Sequence, residues 1–293
     1  MTASPPTVAF HIGAHKTATT HLQLSLRRAA EAMGAAGVRY YGPERFRLPG
    51  HSLQALFGTH PDGETRTRRS AEEQLALLAK GAGRLVLSEE NFIGPLFHPG
   101  GGAMKMRYRP AADRLSDLAA AMGRPIDLFL GVRRPTGYLN AAYCQMLMGG
   151  KVMDLDTFQR RNRVESVDWH DLVLRLRAAP GVGQITLWRQ EDYGTLFPRI
   201  VAGLAGEAAS HVTPVARYVH RSLSAPMVAE ILHRGLPMSD MPASQNLRRM
   251  LSVEAGYPPF DGYDTATHAA GDAAYAAQIA AIAQMDGVTL LRP

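Results

Sequence analysis

A chain of 293 residues, 46% apolar and 20% charged, can bury a sizeable core, which excludes wholesale disorder. Its net charge of +6 favours anionic partners, yet the arginines are scattered and no block of like charge reads as a nucleic-acid arm. Cys144 is the only cysteine, which excludes an internal disulfide and a thiolate metal cluster and fits a reducing compartment.

Met1 to Pro6 lacks the basic and apolar regions of a signal peptide, and no run of about eighteen apolar residues occurs. The expectation is a cytoplasmic chain without a membrane span. It is read as a single domain over 1–293, with a flexible 1–7 and a mostly helical extension over 205–293. No pattern in the chain specifies an oligomeric state.

In chain order, Val8 to Ile12 is a short apolar run that predicts a strand. A loop of Gly, His, Lys and Thr follows. From Thr19 the period becomes helical, with Leu22, Leu26, Ala29, Ala30 and Met33 on one face and Gly34 and Gly37 ending it. Val38 to Tyr41 predicts a second strand, and helical stretches follow near 52–57 and 71–78. Arg84 to Ser88 is a third strand, 113–122 a helix, and Ile126 to Val132 a strand of the fully buried type. Helices are predicted over 136–148 and 168–178, a strand over 185–188, and a helix over 193–204. The remainder reads as helical near 224–234, 244–255 and 264–283.

Strands alternating with helices predict an α/β fold with a mainly parallel sheet covered on both faces. Such sheets bind ligands at the carboxyl ends of their strands. Candidate chemistry is therefore expected just after Ile12, Ser88 and Val132, where three unusually polar loops fall.

The first loop, Gly13-Ala14-His15-Lys16-Thr17-Ala18-Thr19-Thr20, joins a strand to a helix. A helix start offers free N–H groups and the positive end of the dipole, both suited to an anion. Lys16 adds a charge, and Thr17, Thr19 and Thr20 add hydroxyls. A plain helix N-cap accounts for one of the threonines but not for the whole cluster. The triphosphate pattern G-x-x-x-x-G-K-[S/T] is absent, because His15 and not glycine precedes Lys16. The second loop carries Arg133-Arg134-Pro135, an anion clamp or else two solvated arginines at a strand end. The third carries Glu89 and Glu90, either of which suits a general base. Two adjacent carboxylates are expected to raise one another's pKa, and the alternatives are a solvated acidic loop or an ion pair with Arg133 or Arg134. His51 is a rival base. The histidines have no metal-ligand spacing, so no metal is expected.

The run from Phe10 to Gln23 resembles the 5′-phosphosulfate loop of the sulfotransferases that use 3′-phosphoadenosine-5′-phosphosulfate. The resemblance spans roughly residues 8–204. It implies a P-loop-like three-layer fold and a donor site of His15, Lys16, Thr17, Ala18, Thr19 and Thr20, with Lys16 on the phosphosulfate. Ala18 stands where the family has glycine. Arg133 matches the arginine of the 3′-phosphate motif, whereas the motif's serine position falls on Ala141. Arg221 and Ser222 resemble a segment of bacterial members that could replace the lost hydroxyl, or precede a helix capped by Ser224. The Ser-x-Glu pattern after the third strand implies Glu90 as the base, with Glu89 second. Trp188 to Tyr193 resembles a late strand of the family and is read as structural, with Asp192 as a helix cap.

The resemblance implies a sulfotransferase that releases 3′,5′-ADP and acts on a hydroxyl or amine of a glycan or small molecule. The acceptor is expected to be bound by the segments 46–69 and 95–109, and nucleic acid is not expected as a partner. The other readings are a P-loop-type small-molecule kinase and a non-catalytic nucleotide-binding member of the family.

Overall fold

A computed structural model describes residues 5–60, 69–97, 106–149, 151–216, 222–241 and 244–293. The strands are β1 (Thr7–Gly13), β2 (Val38–Tyr41), β3 (Arg84–Ser88), β4 (Ile126–Val132), β5 (Val182–Arg189) and β6 (Val288–Leu290). They form a six-stranded sheet in the order β2-β3-β1-β4-β5-β6, and every pair is parallel.

The helices of the first half are α1 (Thr19–Arg28), α2 (Ala30–Ala35), α3 (Pro43–Phe46), α4 (Leu53–Phe57), α5 (Ala71–Ala79) and α6 (Ala111–Met122). Those of the second half are α7 (Pro135–Gly149), α8 (Leu155–Arg161), α9 (Trp169–Ala178), α10 (Tyr193–Ala205), α11 (Ala225–Arg234), α12 (Ser244–Met250) and α13 (Thr265–Ile282). Among the described residues no helix is long and apolar enough to cross a membrane.

The alternation of side chains along a strand sorts the core into two layers. Phe10 and Ile12 of β1, Leu85 and Leu87 of β3, and Leu128 and Leu130 of β4 share a cluster with Leu115 of α6, Tyr138 of α7 and Leu172 of α9. Their sequence neighbours Ala9, Val86 and Phe129 point the other way and pack with Leu22 and Leu26 of α1 and Leu196 and Ile200 of α10. Because both faces are covered, β1 and β4 are buried nearly throughout, which is why they read as continuous apolar runs.

β2, β3 and β4 have the predicted bounds. The predicted first helix is two pieces, α1 and α2, with Ala29 between them in a helical conformation. The short α3 and α8 and the edge strand β6 carry too few residues for periodicity to reveal them. Ser224 caps α11 by accepting from the Met227 N–H at 3.2 Å. Asp192 does not cap α10 with its side chain: its carboxylate is held by Arg189 at 2.6 Å instead.

The chain leaves β1 for β2 on one side of it and later reaches β4 on the other. The carboxyl ends of β1, β3 and β4 therefore meet at the switch point of the sheet, and the three polar loops converge there.

Candidate active site

A cavity of 780 Å³ opens at this switch point. Its floor is the loop from β1 to α1. Gly13 has φ +104°, and a Cβ there would lie 2.9 Å from the Cβ of Glu90, so glycine is what lets the β1 end approach the β3 end. The Ala14 N–H donates to the Gly131 carbonyl at 2.9 Å, and the Thr17 hydroxyl donates to the Ala14 carbonyl at 2.6 Å. A Cβ on Gly131 would come within 3.0 Å of Thr17 and of Trp188 Nε1, so β4 presses directly on the loop. From the far side, Arg133 Nη1 donates to the Lys16 carbonyl at 3.0 Å. Lys16 and Ala18 both have positive φ, at 62° and 67°. Ala18 is the residue before α1, and no side chain caps that helix, which removes the plain N-cap explanation for Thr19 or Thr20.

Lys16, Ala18, Thr19, Thr20, His15, Arg133, Ala141 and Ser222 all line this one cavity. Thr17 does not: its hydroxyl is turned inward and serves the loop itself. Arg221 lies outside the described residues. Lys16 Nζ donates to Gln145 Oε1 at 3.0 Å. Burial, and then the neighbouring charge of Arg133, pull the Lys16 ammonium down to about 8. Burial likewise lowers Arg133, with Glu191 opposing. The second arginine of the pair faces elsewhere, since Arg134 pairs with Asp272 at 3.4 Å.

Glu90 also lines the cavity and is largely buried. It accepts from Gln23 Nε2 at 2.7 Å and from Arg47 Nη2 at 2.8 Å. Arg47 also binds Glu89, through Nε at 3.0 Å and Nη2 at 2.8 Å, and Glu89 accepts from the Asn91 N–H at 2.9 Å. The expected mutual rise in pKa therefore does not occur at Glu90. Burial pushes its carboxyl up, but the Arg47 charge and then the Gln23 amide oppose that, and the carboxyl is held below the usual range. Nor is the ion-pair partner Arg133 or Arg134: it is Arg47, just after α3. Glu89 and His51 do not line the cavity. Glu89 holds the turn after β3, and His51 Nδ1 lies 3.0 Å from the Pro49 carbonyl.

The sequence missed several lining or supporting residues. Gln145 follows Ala141 by one helical turn on α7, a spacing that could have revealed it. Gln23 sits within the quoted β1–α1 run but carried no assigned role. Arg47 and Phe97 belong to the segments expected to bind the acceptor, and both line the cavity; 61–68 and 98–105 of those segments lie outside the described residues. Met148, Gln190, Met238 and Arg248 complete much of the wall, and no local pattern announces them. Among the described residues no cluster of His, Cys, Asp or Glu could hold a metal ion.

No family model matches the chain, and no curated protein matches its sequence. Among solved structures, a sulfotransferase from Alicyclobacillus acidocaldarius is similar at 13% identity and a TM-score of 0.44, over 78% of this chain and 90% of that one. A retinol dehydratase in complex with androsterone and the inactive cofactor PAP is similar at 13% identity and a TM-score of 0.33, over 99% of this chain and 84% of its own. At such low scores the chemistry of the cavity has to come from its own residues.

Proposed function

We propose that this chain is a sulfotransferase that moves a sulfuryl group from 3′-phosphoadenosine-5′-phosphosulfate to a hydroxyl or amine of a glycan or small molecule. The observation that carries the proposal is a pairing within one cavity. A half-buried lysine on the strand-end loop, its carbonyl held by Arg133, lines the same cavity as an ionised glutamate held by Gln23 and Arg47. Lys16, Arg133, Thr19 and Thr20 offer positive charge and donors to a phosphosulfate and a further phosphate. The volume falls within the range of about 300–1,000 Å³ usual for ligand sites.

In this mechanism the acceptor oxygen attacks sulfur opposite the bridging oxygen. The new O–S bond forms as the old S–O bond breaks, and its electron pair leaves on the phosphate of 3′,5′-ADP. Lys16 neutralises the charge that grows there, a term realised mainly in the transition state. Glu90 takes the acceptor proton. A carboxylate held below its usual range is a weak base, so it acts late, once bonding to sulfur has made the acceptor proton acidic. Ser222 lies against Cys144 on the α7 side of the cavity and is the remaining candidate for the role lost at Ala141.

Titration calorimetry tests the proposal. The chain is expected to bind 3′,5′-ADP and not ATP, and to pass ³⁵S from the labelled donor to an alcohol. Binding of ATP in place of 3′,5′-ADP makes it a kinase, and binding of neither overturns the assignment.

A further inference from the structure

The phosphate loop and the Glu90 loop touch through side chains: His15 Nε2 lies 3.0 Å from Asn91 Oδ1. Behind that contact runs a buried chain. His15 Nδ1 is 2.9 Å from the Tyr108 hydroxyl, which is 2.8 Å from the Tyr138 hydroxyl. His15, Tyr108 and Tyr138 are all buried, and the buried Arg107 guanidinium lies over the Tyr138 ring, 5.1 Å from its centroid.

A buried chain of this kind must place each hydrogen on an acceptor. Burial holds the His15 pKa below its ordinary value, so the ring is neutral and carries a single hydrogen. Two directions are then open. In the first, Tyr138 donates to Tyr108, Tyr108 donates to Nδ1, and Nε2–H donates to Asn91 Oδ1. Every hydrogen is used. In the reverse direction, Asn91 donates to Nε2 and Nδ1–H to Tyr108, which donates to Tyr138. The Tyr138 hydroxyl hydrogen is then buried with no acceptor among the described residues, at the full desolvation cost of that group. The Arg107 charge favours the first direction too, because it draws the hydroxyl oxygen toward itself and turns the hydrogen to Tyr108.

The first direction has a consequence in the cavity. With Oδ1 engaged as an acceptor, the Asn91 amide has two N–H donors left. Asn91 is exposed and lines the cavity, and its Nδ2 has no partner among the described residues. Asn91 follows Glu90, and its His15 partner precedes Lys16. His15, Lys16, Glu90 and Asn91 all line the one cavity.

We infer that the Asn91 amide donates hydrogen bonds to the oxygens of the sulfuryl group in flight, and that the Tyr138–Tyr108–His15 chain is the positioning device that keeps the amide turned outward. This inference rests on the proposed sulfotransferase function.

The test compares two probes that differ by the sulfuryl group. Asn91→Ala is expected to bind 3′,5′-ADP within about twofold of wild type while binding 3′-phosphoadenosine-5′-phosphosulfate about tenfold more weakly, the usual weight of a donor to a charged oxygen. Asn91→Asp, which replaces the donors with a charge, is expected to lose still more. Tyr108→Phe is expected to weaken only the sulfated probe, severalfold. Nitrogen-15 NMR is expected to show His15 as the neutral Nε2–H tautomer in the wild type. Equal weakening of both probes by Asn91→Ala, no weakening at all, or a wild-type Nδ1–H tautomer overturns the inference while leaving the proposed function standing. A wild type that binds neither probe overturns the function, and the inference falls with it.

Discussion

The two sides of the cavity are built on different principles. The side proposed to take the donor is a short stretch of backbone clamped from both sides, by Gly131 below and Arg133 above. The Glu90 side is a partly compensated charge cluster, in which the one Arg47 guanidinium bridges Glu89 and Glu90. Lys16 and Arg133 spend their hydrogen bonds on Gln145 and a backbone carbonyl, whereas Arg47 spends its own on keeping the largely buried Glu90 ionised.

The sharpest way to break this division is to remove one charge from each side. Lys16→Ala should lower transfer by about a thousandfold or more and weaken 3′,5′-ADP as well, because the lysine serves both binding and leaving-group charge. Glu90→Gln should lower turnover by about a hundredfold with 3′,5′-ADP affinity within about threefold. If His51→Ala gives that pattern instead, the base is assigned to the wrong residue.

The clamp itself can be tested at Gly131. A methyl there meets Thr17 and Trp188, so Gly131→Ala should cost about 1–3 kcal/mol in a denaturant titration and weaken 3′,5′-ADP more than it affects any acceptor constant.

A smaller effect is the pH dependence of the donor side. The Lys16 ammonium titrates at about 8, so its charge is present below that pH and lost above it. Affinity for 3′,5′-ADP should therefore fall severalfold between about pH 7 and pH 9.5, whereas Lys16→Arg should stay flat because a guanidinium keeps its proton. The sign on the other side is opposite. Glu90 is held below its unfolded value, so its contribution to stability is present above the carboxylate range and is lost as pH falls through it.

The smallest effect expected is at Ala18, whose φ of 67° strains any residue with a Cβ. Ala18→Gly should stabilise the fold by up to about 1 kcal/mol, read as a rise in the urea midpoint. No gain would mean that the loop relaxes away from this conformation.

What the sequence determined by itself was local. Short apolar runs and the turn residues around them placed β2, β3 and β4, and the polar loop after Ile12 marked the side proposed to take the donor, because a strand-end loop is a contiguous piece of backbone whose chemistry is written in neighbouring residues. The left-handed Ala18 was not legible, since a sequence names the residue but not its φ. The other side was decided by tertiary structure alone. Arg47, Glu90, Met238 and Arg248 come from separate elements that only the folded chain brings to one opening. The sequence could nominate Glu90 as a base, but its ionisation is set by Arg47, a residue 43 positions away, and such a pairing exists only once the sheet has formed.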